Sequence, residues 1–130
     1  VMLILGILAA IAIPAFFSQK DKANDASAKA MVRSAETAAE TYSTDHGGSY
    51  EGISPAELKA IEDTIVIENT ANTYLSTATE EAGGEGYVVT ATSTKTGNTF
   101  TITRDDEGNV AYTCTEGGQG GCPSSENWAE

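Results

Sequence analysis

The first seventeen residues, Val1-Met2-Leu3-Ile4-Leu5-Gly6-Ile7-Leu8-Ala9-Ala10-Ile11-Ala12-Ile13-Pro14-Ala15-Phe16-Phe17, contain no charged side chain, and an amphipathic helical pattern follows them almost without a break. An apolar run that flows directly into a polar-faced helix predicts one long rod, apolar all round at one end and half-buried at the other. The two ends need different surroundings: all-round apolarity in a helix requires burial on every side, in lipid or among like chains.

The rest of the chain is short for a second core. Of 130 residues, those after Phe17 suffice for one small head. We divide the sequence into 1–24, the apolar half of the helix, and 25–130, the head. The charge is lopsided, with 19 acidic against 7 basic residues and a net charge of -12. A surface this acidic repels phosphate backbones, so no direct nucleic-acid partner is expected. Lys20 and Lys22 alternate with Asp21 and Asp25 and read as a solvated interfacial segment.

Cys114 and Cys122 lie eight apart in a Gly-rich stretch without a neighbouring His or third Cys to complete a zinc site. The choice is between two free thiols and a disulfide. The disulfide is the better reading, and it implies an oxidising compartment and a head outside the cytoplasm.

Leu8 to Ala12 has the small-residue character of a signal-peptide cleavage region, but no basic stretch precedes it in this sequence. As a membrane anchor, seventeen helical residues span only about 26 Å, short of the roughly 30 Å hydrocarbon core. Gly6 loosens the backbone and Pro14 removes an amide donor, so the segment between them is where the rod is expected to bend or unwind.

Gly6-Ile7-Leu8-Ala9-Ala10-Ile11-Ala12-Ile13-Pro14-Ala15-Phe16 resembles the N-terminal helix of bacterial type IV pilins and of the related type II secretion pseudopilins. The strong match covers about the first sixth of the chain; a looser one extends through Tyr42 to Tyr50. The resemblance implies an α+β fold, a long N-terminal helix packed on a small antiparallel sheet. It also implies assembly into a helical filament with Val1, Leu3, Ile4, Gly6, Ile7, Leu8, Ile11, Ile13, Pro14, Phe16 and Phe17 bundled in its core, and helix melting between Gly6 and Pro14. Implied partners are copies of the same chain, the inner membrane before assembly, and a pilus assembly machinery. The family's mature chain begins with a methylated aromatic residue and carries a glutamate a few positions later. Aligned on Gly6 and Pro14, this sequence starts several residues late, so both are expected before Val1 and no residue here can be assigned to them.

Independently of the resemblance, Ala28, Met31, Val32, Ala35, Ala38, Ala39 and Tyr42 recur at three and four spacing and predict a helix to about His46, stopped by Gly47-Gly48. The small side chains of this stripe suit close packing under a sheet. Asp25 four before Lys29, and Arg33 three before Glu36, read as weak ion pairs on the opposite, solvated face. Ser54-Pro55-Ala56-Glu57 has the form of a capping box and predicts a short helix from Pro55 to about Asp63, with Ile53, Leu58 and Ile61 inward. Tyr87–Lys95, Asn98–Arg104 and Asn109–Cys114 read as strands, with Thr64–Glu68 and Tyr74–Ala78 as weaker candidates. In the first of these, Tyr87, Val89 and Ala91 should face the helix and Val88, Thr90 and Thr92 the solvent.

Candidate chemistry is sparse. His46, the one histidine, has no Ser or Cys with an acid partner nearby and reads as a helix-end residue. Asp105-Asp106-Glu107 suits either a hairpin turn or a Ca²⁺ site, the latter resembling calcium binding in some pseudopilins. Gly117 to Gly121 lacks the helix and lysine of a phosphate loop and reads as a flexible loop inside the disulfide. Trp128 reads as packed on the sheet rather than exposed at a subunit contact. No cofactor, metal or catalytic set is expected. The resulting expectation is a non-enzymatic structural subunit of an extracellular pilus, serving adhesion, motility or surface attachment. A secretion pseudopilin and a membrane-anchored extracytoplasmic binding domain are the alternatives.

Overall fold

The structure is a computed structural model that describes residues 1–5 and 20–129. The expected unwinding between Gly6 and Pro14 lies outside the described residues, as do the side chains of the predicted filament-core set from Gly6 to Phe17. The elements are helix α1 (Met2–Asp45), helix α2 (Pro55–Ile61), strand β1 (Thr73–Glu81), a short 3₁₀ turn (Ala82–Gly84), and strands β2 (Gly86–Ser93), β3 (Thr99–Arg104) and β4 (Val110–Cys114). The class is α+β, a long N-terminal helix packed from Lys20 onward against one antiparallel sheet with strand order β1-β2-β3-β4.

The helical stripe is buried as its spacing predicts. Ala28, Val32, Ala35 and Ala39 are fully covered, Ala38 and Tyr42 nearly so, and Met31 is partly buried at the edge of the core. Opposite them lie Tyr87, Val89, Ala91, Phe100 and Ile102, each at 0% exposure. Large side chains on the sheet thus fill the space that alanines on the helix leave open, and each of the larger ones contributes about 1.5 to 3 kcal/mol of burial. The helix stops where Gly47 and Gly48 take positive φ, which lets the Gly48 amide turn back to the Ser43 carbonyl at 2.8 Å.

In β1 the buried positions are Leu75 and Ala78, a spacing of three that simple alternation forbids. A bulge resolves it: Leu75 pairs with Ala91 but Thr77 with Thr90, so Ser76 is the extra residue. Its hydroxyl donates to the Thr90 carbonyl at 3.1 Å and accepts from the Thr92 hydroxyl at 2.8 Å. On the outer face a row of threonines, Thr77, Thr90, Thr101 and Thr113, runs in register across all four strands.

Three sequence expectations change. Thr64–Glu68 is not a strand but a turn and extended connection; Ile65 is nonetheless fully buried, and its carbonyl accepts from Lys59 Nζ at 2.7 Å. Helix α2 ends at Ile61, and Ile61 points outward with 37% exposure, while Leu58 and Ile53 are buried as expected. The cap is in place, with Ser54 Oγ accepting from the Glu57 amide at 3.2 Å. Strand β1 runs from Thr73 to Glu81, well past Ala78.

Candidate functional site

The first candidate site is the apolar N-terminal run, of which the structure describes Val1 to Leu5. In the lone chain Val1, Met2, Leu3, Ile4 and Leu5 lie 95, 89, 77, 62 and 59% exposed. Among the described residues, no helix is long and apolar enough to cross a membrane.

The second site is where the head closes onto α1. Asp25 is fully buried. Its Oδ1 accepts from the Thr96 hydroxyl at 2.6 Å, and its Oδ2 from Asn98 Nδ2 at 2.7 Å and from the Gly121 amide at 2.8 Å. One carboxylate therefore ties the helix to the β2–β3 turn and to the loop between the cysteines. This corrects the expected solvated Asp25–Lys29 pair. Burial of a carboxylate is costly unless its lone pairs are occupied, and three donors occupy them here. The sequence carried a signal for this: residues 25, 28, 32, 35, 39 and 42 alternate three and four apart, so Asp25 continues the buried stripe.

The cysteines form the expected disulfide, with Cα atoms 5.9 Å apart. The loop they close is docked rather than flexible, which corrects a second expectation. Asn98 Nδ2 donates to the Gln119 carbonyl at 3.1 Å, and a Cβ on Gly121 would sit 2.7 Å from Asp25 Cβ while one on Gly120 would collide with Asp25 Oδ2. Glycine is required at both positions because the loop backbone lies directly on the carboxylate. Beside it, Asp21, Lys95, Thr96, Asn98, Glu116 and Gln119 line a cavity of about 320 Å³.

Four of the cations are used inside the fold. Lys29 Nζ lies 5.5 Å from the Phe100 ring centre. The Arg33 guanidinium covers Trp128 at 4.9 Å and Tyr112 at 5.4 Å instead of pairing with Glu36. Lys59 holds the Ile65 carbonyl. Arg104 donates to the Glu85 carbonyl at 2.9 Å and lies 3.9 Å from Glu40. Trp128 is packed on the sheet, only 4% exposed, edge-on to Phe100 and Tyr112, with Nε1 donating to the Thr101 carbonyl at 3.3 Å.

Titratable groups near the α1 C-terminal half have structural roles. Burial, followed by Glu36 and Glu40 nearby, pushes the Tyr87 hydroxyl far above its usual value; this oxygen is buried without a hydrogen-bond partner among the described residues. The Tyr50 hydroxyl is raised by burial and by its bond to Glu40 at 2.9 Å. His46 is exposed, stacks on Tyr42 at 3.9 Å, and places Nδ1 2.8 Å from the Tyr42 carbonyl, as a helix-end residue would. Asp105 is used by its own turn: it accepts from the Asn109 amide at 2.8 Å, from Asn109 Nδ2 at 3.1 Å and from the Glu107 amide at 2.9 Å, contacts that lower its pKa. Among the described residues, no group of three or more His, Cys, Asp or Glu side chains is placed to hold a metal ion.

No family model matches the chain, and neither a curated protein nor a solved structure matches it.

Proposed function

We propose that the chain is a structural subunit of an extracellular filament of the type IV pilin kind, held in the inner membrane by its apolar run and polymerising through it. The observation that carries this reading is the exposure of Val1 to Leu5, five large apolar side chains at the start of the helix on which the head is built. Water contact for such a run is unfavourable at about 25 cal/mol per Å². Lipid removes that contact before assembly and neighbouring copies remove it afterwards, so exchanging one for the other leaves little apolar surface wet. The docked disulfide loop fits an oxidising compartment. A secretion pseudopilin shares all these features and differs in whether long surface filaments form.

The test is assembly of the full-length chain on detergent removal, followed by sedimentation and electron microscopy. Wild type should yield filaments, and Ile4→Asp should stay dispersed with an unchanged head. A wild-type chain that remains a folded monomer would favour a membrane-anchored binding domain instead.

A further inference from the structure

The cations of the head that the fold does not engage are sorted by position. The bonds from Asp25 to Thr96, Asn98 and Gly121 define one pole. The contacts of Arg104 with Glu40 and the Glu85 carbonyl define the other. From Asp25 to Glu40 is fifteen helical residues, roughly 22 Å. With four cations engaged inside the fold, Lys20, Lys22 and Lys95 remain; all three are exposed and have no partner among the described residues. All three lie at the Asp25 pole, where Lys95 shares a cavity with Asp21 and Glu116. At the opposite pole the end of β1, the β1–β2 connection and the β3–β4 turn expose Glu80, Glu81, Glu85 and Asp106, again without side-chain partners among the described residues.

We propose that the lysine-bearing pole of one copy docks on the acidic pole of the next, Lys20, Lys22 and Lys95 pairing with Glu80, Glu81, Glu85 and Asp106, so that heads stack head to tail. This rests on the filament reading and names the contact that sets its register. A contact between two different patches at opposite ends is heterologous and does not close on itself, the geometry that generates open helical assemblies. Each such lysine–carboxylate contact also offsets part of the mutual repulsion of copies that each carry a charge of -12. An anionic lipid surface is the weaker occupant. Asp21, Glu116 and Asp25 itself balance the three lysines, whereas holding such a surface takes clusters of about four to eight basic residues. Individual pairs with a neighbour's carboxylates need only the individual lysines.

Zero-length carbodiimide coupling of assembled full-length chain, mixed from ¹⁵N-labelled and unlabelled copies, tests the contact. Amide links between Lys95 and Glu80, Glu81, Glu85 or Asp106 should appear and should join labelled to unlabelled peptides, because the two poles of one copy are too far apart to be coupled. Two charge-reversed chains supply the second arm, Lys22→Glu with Lys95→Glu, and Glu80→Lys with Glu81→Lys. Each should fold with an unchanged melting temperature and assemble at least fivefold less than wild type, and an equimolar mixture of the two should recover assembly. Wild-type filaments with no pole-to-pole links, or reversed chains that assemble normally, would overturn the docking while leaving the filament reading standing. Reversed chains that assemble normally but release from anionic vesicles would overturn it in favour of lipid. Failure of wild type to assemble would remove both.

Discussion

Replacing Asp25 is the sharpest test of how the head is held to its helix. In Asp25→Ala three donors lose their acceptor: the Thr96 hydroxyl, Asn98 Nδ2 and the Gly121 amide. Asn98 retains the Gln119 carbonyl, and the partly buried Thr96 hydroxyl can rotate toward water, so the Gly121 amide bears most of the stranding cost. Bonds to a charged acceptor are each worth about 1.5 to 3 kcal/mol, and a stranded buried donor costs about 1 to 3. We expect a loss of about 3 kcal/mol. Asp25→Asn is the informative partner. Its carbonyl oxygen can sit in the Oδ2 position and accept from Asn98 and Gly121, while its amide donates to a reoriented Thr96 oxygen. All three contacts survive without charge assistance, for a loss of about 1 kcal/mol. Denaturant unfolding of the full chain in mild detergent reads both, and a midpoint shift at constant slope isolates stability. An Ala variant within 0.5 kcal/mol of wild type, or an Asn variant as impaired as Ala, would refute the claim that hydrogen bonding at this carboxylate closes the head.

Two further outcomes follow from the same contacts. Reducing the Cys114–Cys122 disulfide, or replacing both residues by Ser, releases an eight-residue closure worth about 2.5 kcal/mol in the chain-entropy model. It should also free the Gly121 amide for hydrogen exchange, and an amide that stays protected after reduction would show that the loop holds itself on Asp25. Tyr87→Phe removes a hydroxyl that is buried without a partner among the described residues, so it should cost nothing or stabilise by up to about 1 kcal/mol. The folded-state pKa of Tyr87 lies above its unfolded value, so its contribution is intact below the ordinary value near 10 and is lost as pH rises beyond it. Wild type should therefore lose stability in alkali more steeply than Tyr87→Phe, and parallel alkaline unfolding curves would contradict this.

Local periodicity made much of the fold legible. The alanine stripe, the Gly47-Gly48 stop, the Ser54 cap and the alternation Tyr87, Val89, Ala91 each act over a few residues, and each appears where the pattern places it. What the pattern misread depends on distant partners. Asp25 looks like a solvated charge until Thr96, Asn98 and Gly121, between 71 and 96 residues away, are brought to it. Residues 117–121 look flexible for the same reason, since glycine composition says nothing of what the backbone rests on. Leu75 and Ala78 both face inward only because Ser76 is bulged, a choice made by pairing with β2. Ile65 is apolar and in a short β-like run, yet the chain there is a connection whose carbonyl Lys59 secures. In the filament reading, the apolar run was the clearest signal in the sequence, whereas the sorting of free cations to one pole emerges only after the others are seen to be occupied.

The distance in sequence between Asp25 and its last donor has a consequence for biogenesis. The ribosome makes the helix first, and Gly121 follows Asp25 by 96 residues, which at roughly 5 to 20 residues per second takes about 5 to 20 s. For most of that interval the stripe on α1 has no complete sheet to cover it. Because the stripe is largely alanine, the waiting helix shows newly made neighbours far less apolar area than a leucine-rich stripe would. The bulky half of the core, Tyr87, Phe100 and Ile102, is made last, within a meander of adjacent hairpins that can pair as soon as it emerges. Dividing the core into a small-residue half made early and a large-residue half made late keeps the nascent chain unadhesive until it can close.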